Sequence, residues 1–112
     1  MKVISVKFYR SGNGNEPVRE WLLDLPESER RAIGTQIKTI EFGWPIGMPL
    51  VKSLGDGLWE VRVTFVTRIA RVIFTMNGAD MVLLHGFIKK SQKTPKADLK
   101  VAKDRKREVH RG

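Results

Sequence analysis

Apolar side chains alternate along residues 3–10, VISVKFYR. Ile4, Val6 and Phe8 fall on one face and Ser5, Lys7 and Tyr9 on the other, the period of a half-buried strand. The SGNGNEP that follows is a turn with a helix start at its end. The period then changes. Val18, Trp21, Leu22 and Leu25 stand at helical spacing and predict a short helix from Pro17 to Asp24. Ile33, Ile37 and Ile40 form the stripe of a second helix, from about Pro26 to Phe42, with Pro26 tolerated in its first turn and Gly43 after its end. GWPIGMP is a loop. Four strand-like pieces come next, at about 50–54, 58–65, 69–76 and 81–88, separated by GDG, VTR and NGAD. The NG and DG dipeptides are hairpin signals, so an antiparallel meander is expected.

Within LWEVRVTF, Trp59, Val61, Val63 and Phe65 share one face, expected to be core, and Glu60, Arg62 and Thr64 share the other, expected to be polar. Alternation along VLLHGFIKK puts Leu83, His85, Phe87 and Lys89 on one face and Leu84, Gly86, Ile88 and Lys90 on the other. From Pro95 to about His110, Leu99, Ala102 and Val109 make a thin apolar stripe among many charges, a helix that lies against something or waits for a partner. The fold class is α+β: an N-terminal strand, two helices, an antiparallel sheet of about four to five strands, and a basic C-terminal helix.

The chain has 112 residues, enough for one domain with a modest core, and no repeat or linker divides residues 1–112. With no cysteine, disulfides and thiolate zinc sites are excluded, and a cytosolic setting fits. No apolar run approaches the length that spans a bilayer, and one basic residue before VISV is too little for a signal peptide. The formal charge is +9, and it is uneven: Lys89 to Gly112 holds ten Lys and Arg against three Asp and Glu, a net +7, leaving +2 for residues 1–88. A field of this kind suits a polyanion, whether nucleic acid, ribosome or an acidic membrane surface, or belongs to a solvated basic helix.

The segments KSLGDGLWEVRV, RIARVIF and LHGFIKKSQKTPKADLKVAKDR carry the spacings L-x-D-G-L-W-E-x-R, R-x-x-R and H-G-F-x-K-K. In these, and in its order of elements, the chain resembles the RelE/ParE superfamily of toxins, and within it the HigB branch found in phage-derived gene pairs. The resemblance covers nearly the whole chain. It implies a RelE-like fold and the toxin of a type II toxin-antitoxin system: a ribosome-dependent endoribonuclease, or mRNA interferase, that cuts the message in the decoding site and inhibits translation. The partners so implied are the ribosome, mRNA and a cognate antitoxin, usually a helix-turn-helix protein encoded beside the toxin; no membrane partner, cofactor or metal is implied.

Cleavage by the 2′-hydroxyl needs a base for its proton, positive charge on the five-coordinate phosphorane and an acid for the leaving 5′ oxygen. Arg62, Arg68 and Arg71 could be displayed by neighbouring strands, and an arginine fork suits phosphate. Arg71 interrupts an apolar strand, so it is either paired with a carboxylate such as Glu60 or aimed at a ligand. In the family, an arginine so placed is taken to hold the scissile phosphate. His85 can accept and return a proton, or be a satisfied core histidine. Lys89, Lys90 and Lys93 could neutralise phosphates beneath a folded-over SQKTP loop, with Lys52 and Lys96 beside them, and a lysine of lowered pKa could act as acid or base. The candidate catalytic set is therefore Arg71, His85, Lys89 and Arg68, and the phosphate-binding set Arg62, Lys90, Lys93, Lys52 and Lys96.

Smaller features follow from the same text. Gly86 is a place where a backbone or a nucleotide could approach closely. The only tyrosine is Tyr9, so stacking on a base from the C-terminal segment cannot fall to Tyr, which departs from the RelE pattern. Phe87 could stack instead or belong to the core. Trp21, Trp44 and Trp59 read as packing residues, and GNGN is not a phosphate cradle. Two rival functions remain: a ParE-type toxin acting on DNA gyrase, and a non-enzymatic nucleic-acid or ribosome-binding module.

Overall fold

The computed structural model describes residues 2–89 and 93–111. The elements run β1 (Ser5–Phe8), α1 (Pro17–Leu23), α2 (Glu27–Gly43), β2 (Val51–Gly55), β3 (Leu58–Thr64), β4 (Ile69–Asn77), β5 (Asp80–Lys89) and α3 (Lys96–Arg111), an α+β chain. The five strands form one sheet in the order β1-β5-β4-β3-β2. β2 to β5 are the antiparallel meander that the turn signals predict, with Gly57 and Gly78 at positive φ in its tight turns. β1 is added parallel to β5, pairing Ser5 with Asp80 and Phe8 with Leu83, a placement that local pattern does not reveal.

Both helix stripes bury as expected. Ile33, Ile37 and Ile40 of α2 join Val18 of α1 and Val61, Val63, Ala70, Val72 and Phe74 of the sheet in the larger core cluster. At the end of α2, Trp44 meets Trp59 edge-on at 5.3 Å and Phe74 at 5.5 Å, so these tryptophans are packing residues. Gly43 is the last residue of α2, with Trp44 as its C-cap, so the helix runs slightly past the predicted stop.

The second face differs from the expectation of a polar surface. α3 lies across it, and Leu58, Ile73, Leu84, Phe87 and Ala102 make a second core cluster there, with Tyr9 from the chain start. Glu60, on that face, has no exposed surface at all. The alternation along β5 also breaks. A bulge between Ile73 and Phe74 shifts the register so that Ile73 opposes His85 but Phe74 opposes Leu83. Leu83 accordingly belongs to the α2-side core and Leu84 to the α3-side core, where strict alternation predicts Leu83 beside His85.

α3 has few apolar residues and is held largely by polar bonds. The Tyr9 hydroxyl donates to Glu108 Oε2 at 2.7 Å, Arg105 donates to the Leu84 carbonyl at 2.8 Å and lies over the Tyr9 ring, and His85 Nε2 sits 2.6 Å from Asp98 Oδ1. Among the described residues no helix is long and apolar enough to cross a membrane.

Candidate functional site

Strand register decides which charges meet. Side chains of directly paired residues share a face. Arg62 pairs with Arg71 and Arg71 with Phe87; Lys52 pairs with Glu60; Ile73 pairs with His85, and Ile69 with Lys89. One face of the sheet, toward the start of α3, therefore gathers Lys52, Glu60, Arg62, Arg71 and Lys89, with His85 one step farther along.

Arg71 is almost wholly buried and its Nη1 donates to Glu60 Oε1. Of the two alternatives for this arginine, the carboxylate pair is the one present. Glu60 has a second partner, since Thr94 Oγ1 donates to its Oε2 at 2.7 Å. The described part of the SQKTP segment thus does reach over the pair. Arg71 Nε is buried with no hydrogen-bond partner among the described residues, a donor of the kind that burial ordinarily penalises. The guanidinium therefore keeps one edge for an additional acceptor.

Lys89 is 5% exposed. Burial first, and then the Arg71 charge, push its pKa below the ordinary lysine value; Glu60 pulls it back up, while Arg62 and Lys52 lower it further. The cluster is thus one electrostatic unit. Its single carboxylate among these five groups is shared by Arg71 and Thr94, and its lysine gives up a proton more readily than a solvated one.

The remaining candidates are dispersed. Arg68 lies outside the strand ladder and is paired with Glu29 of α2, its side chain about one-third exposed at 36%. His85 is pinned to Asp98 of α3 and stacks on Phe87 with ring centroids 5.5 Å apart, and Phe87 separates it along β5 from Lys89. Phe87 itself is buried in the second core cluster. Lys93 and Lys96 are exposed near the start of α3, and Lys52 is exposed on β2. Lys90 lies outside the described residues. Most of the C-terminal charge is carried on the outer side of α3, where Lys100 and Arg107 pair with Asp104, whose own pKa the Lys100 bond lowers.

Gly86 does admit a close neighbour, which is neither backbone nor nucleotide. A Cβ there would come within 2.4–2.8 Å of three indole carbons of Trp21 from α1. Two functional positions escape sequence reasoning. Thr94 carries no signal beyond its turn-rich surroundings. Asp98 looks like an ordinary acidic residue of a first helical turn. Glu60 had a signal in the burial cost of Arg71.

No curated protein matches the chain. Residues 20–107 match the family described as phage-derived protein Gp49-like (DUF891). That span is well over half of the chain and contains Glu60, Arg62, Arg71, Lys89 and Thr94. The chain therefore belongs to the phage-derived Gp49-like family, which is RelE/HigB-like in general terms.

Proposed function

We propose that this protein is a HigB-like toxin that cleaves mRNA on the ribosome by metal-independent attack of the 2′-hydroxyl. The observation that carries this reading is the Arg71 site: a buried guanidinium with one edge on Glu60 and its Nε donor without a partner among the described residues, beside a lysine of lowered pKa. Arg71 and Arg62 would hold the phosphate and the charge that builds on its equatorial oxygens, where preorganised donors contribute most. Glu60 would take the proton of the 2′-hydroxyl as O2′ bonds to phosphorus. Lys89 would protonate the 5′ oxygen as its bond to phosphorus breaks, leaving a 2′,3′-cyclic phosphate and a 5′-hydroxyl. His85, tied to Asp98, has the place of a residue that positions α3.

Primer extension on a message translated in vitro tests the proposal, with wild-type protein and Arg71→Lys, with and without ribosomes. Arg71→Lys keeps the buried charge opposite Glu60 and removes the fork. Wild type should cut only with ribosomes, and the variant should cut at least about 100-fold less, the scale of one lost transition-state donor. Equal cutting by a folded variant would remove Arg71 from the chemistry. Growth arrest with no cuts at all would move the assignment to a gyrase-directed or purely binding toxin.

A further inference from the structure

β2 ends the sheet early. Its first residue, Val51, pairs with Val61, so residues 62–64 of β3, paired with β4 on one side, have no strand on the other, where the Leu50 carbonyl accepts from Arg62 N at 3.0 Å. The notch left behind is a cavity of about 620 Å³ whose lining includes Gln36 of α2, Leu50, Arg62, Thr64 and Ile69. Beyond it lies a second cavity of about 690 Å³, lined by Thr64, Phe65, Val66, Arg68, Ile69 and Lys89 among others. The two share Thr64 and Ile69 and together form one trough around the end of the sheet. Each has the size of a small-ligand site.

The walls are largely apolar, and the cations come at intervals: Arg62 in the first cavity, Arg68 and Lys89 in the second. Glu29 adjoins the second cavity and is paired with Arg68. Val66, on the tip between β3 and β4, is fully exposed, an apolar side chain that contributes to no core cluster. Ile69, the partition between the cavities, is the register partner of Lys89, and Arg71 is two residues farther on the same face. The trough therefore opens directly beside the cluster described above.

We infer that this trough is a base-holding subsite for single-stranded RNA, which seats two successive unstacked nucleobases on either side of Ile69. Apolar slots interleaved with cations match an alternation of bases and phosphates, and bases become available for such slots only in single strands. A duplex, with its bases stacked and paired, has nothing to insert. Charge complementarity selects RNA over an acidic peptide as occupant, because the cations are spread along the trough and the walls between them are flat, branched or aromatic apolar groups. Gln36 and Thr64 place an amide and a hydroxyl where base edges would lie, so the trough also sets base preference. The inference rests on the nuclease reading in taking its RNA to be the strand that is cut.

The test uses the full chain and a series of 2′-O-methyl hexaribonucleotides, which cannot be cleaved, each with one abasic position, read by fluorescence anisotropy at fixed salt. Removing a base at two adjacent positions should weaken binding by about tenfold each, the order of a lost base contact, and removal elsewhere should change little. Ile69→Ala should flatten the profile at both positions. Val66→Asp, at a fully exposed site and so without consequence for folding, should abolish the effect at one. An abasic profile that is flat in the wild-type protein, or failure of the hexamers to bind, overturns the trough as a base site. Ribosome-dependent cleavage measured in parallel separates the two readings: cleavage with a flat profile rejects the trough alone, and a two-position profile without cleavage rejects the nuclease alone.

Discussion

At the scale of single residues, the clearest constraint is the absence of a side chain at Gly86. The Trp21 ring occupies the space that a Cβ would need, and Trp21 itself packs against the larger core cluster. Gly86→Ala should cost about 1–3 kcal/mol, as overpacking does, and urea melts that coincide with wild type would refute the close approach. Lys89 makes a prediction of opposite character, because its folded pKa lies below 10.5 through burial and the adjoining cations. Between that lowered value and 10.5 the unfolded chain binds more protons than the folded one at this position, so Lys89 adds stability as pH rises through the window and costs stability below it. The thermal midpoint of wild type relative to Lys89→Gln should therefore climb as the pH rises toward 10.5. Parallel midpoint curves would mean that Lys89 titrates like a solvated lysine. Arg71 shows how far residue types alone can be read. Its apolar neighbours announced a need for a partner, and the sequence offered both Glu60 and a ligand; three-dimensional structure supplies Glu60 and still leaves Nε for an acceptor.

At the scale of elements, periodicity located every helix and strand of the meander to within a few residues, because each buries one face and the pattern records which. The failures have physical causes. β1 pairs in parallel with β5, across the whole intervening chain, and nothing local encodes that choice. The bulge opposite Leu83 and Leu84 breaks the two-residue period by one, so a correct strand was assigned a wrong face at its middle. The polar face of β3 looked solvent-facing because α3, its cover, is itself mostly charged. That cover depends on a few polar contacts, of which the His85–Asp98 bond at 2.6 Å is the one nearest the start of α3. Asp98→Ala should loosen the first turns of α3 while leaving the meander intact. Amide hydrogen exchange should speed up at residues 97–102 by roughly tenfold, taking about 1.5 kcal/mol for a lost bond to a charged partner. Unchanged exchange there would show that Leu99 and Ala102 anchor the helix without it. Of the candidate site, Arg71 and Lys89 were legible as charges in apolar strands, and Arg62 as a residue of the face expected to be polar. Thr94, on a loop with no period, was not.

At the scale of the whole molecule, positive charge comes in two kinds. One kind lies on the sheet, where buried Arg71 and Lys89 and half-buried Arg62 are close enough for their fields to overlap. The other coats the outer side of α3, solvated and partly offset by Asp104. Composition alone reported their sum and could not separate a buried cluster from a solvated surface. The topology adds a constraint of timing. Ser5 pairs with Asp80, and Tyr9 bonds to Glu108, so β1 has to wait for β5 and the residue after it for α3. Such distant pairing is slow to form. While the chain is still being synthesised, Arg71 and Glu60 can meet before Lys89, Thr94 and α3 have followed them out. Under the mechanism proposed above, the emerging chain would therefore carry the phosphate-holding half of its site before the proton-donating half.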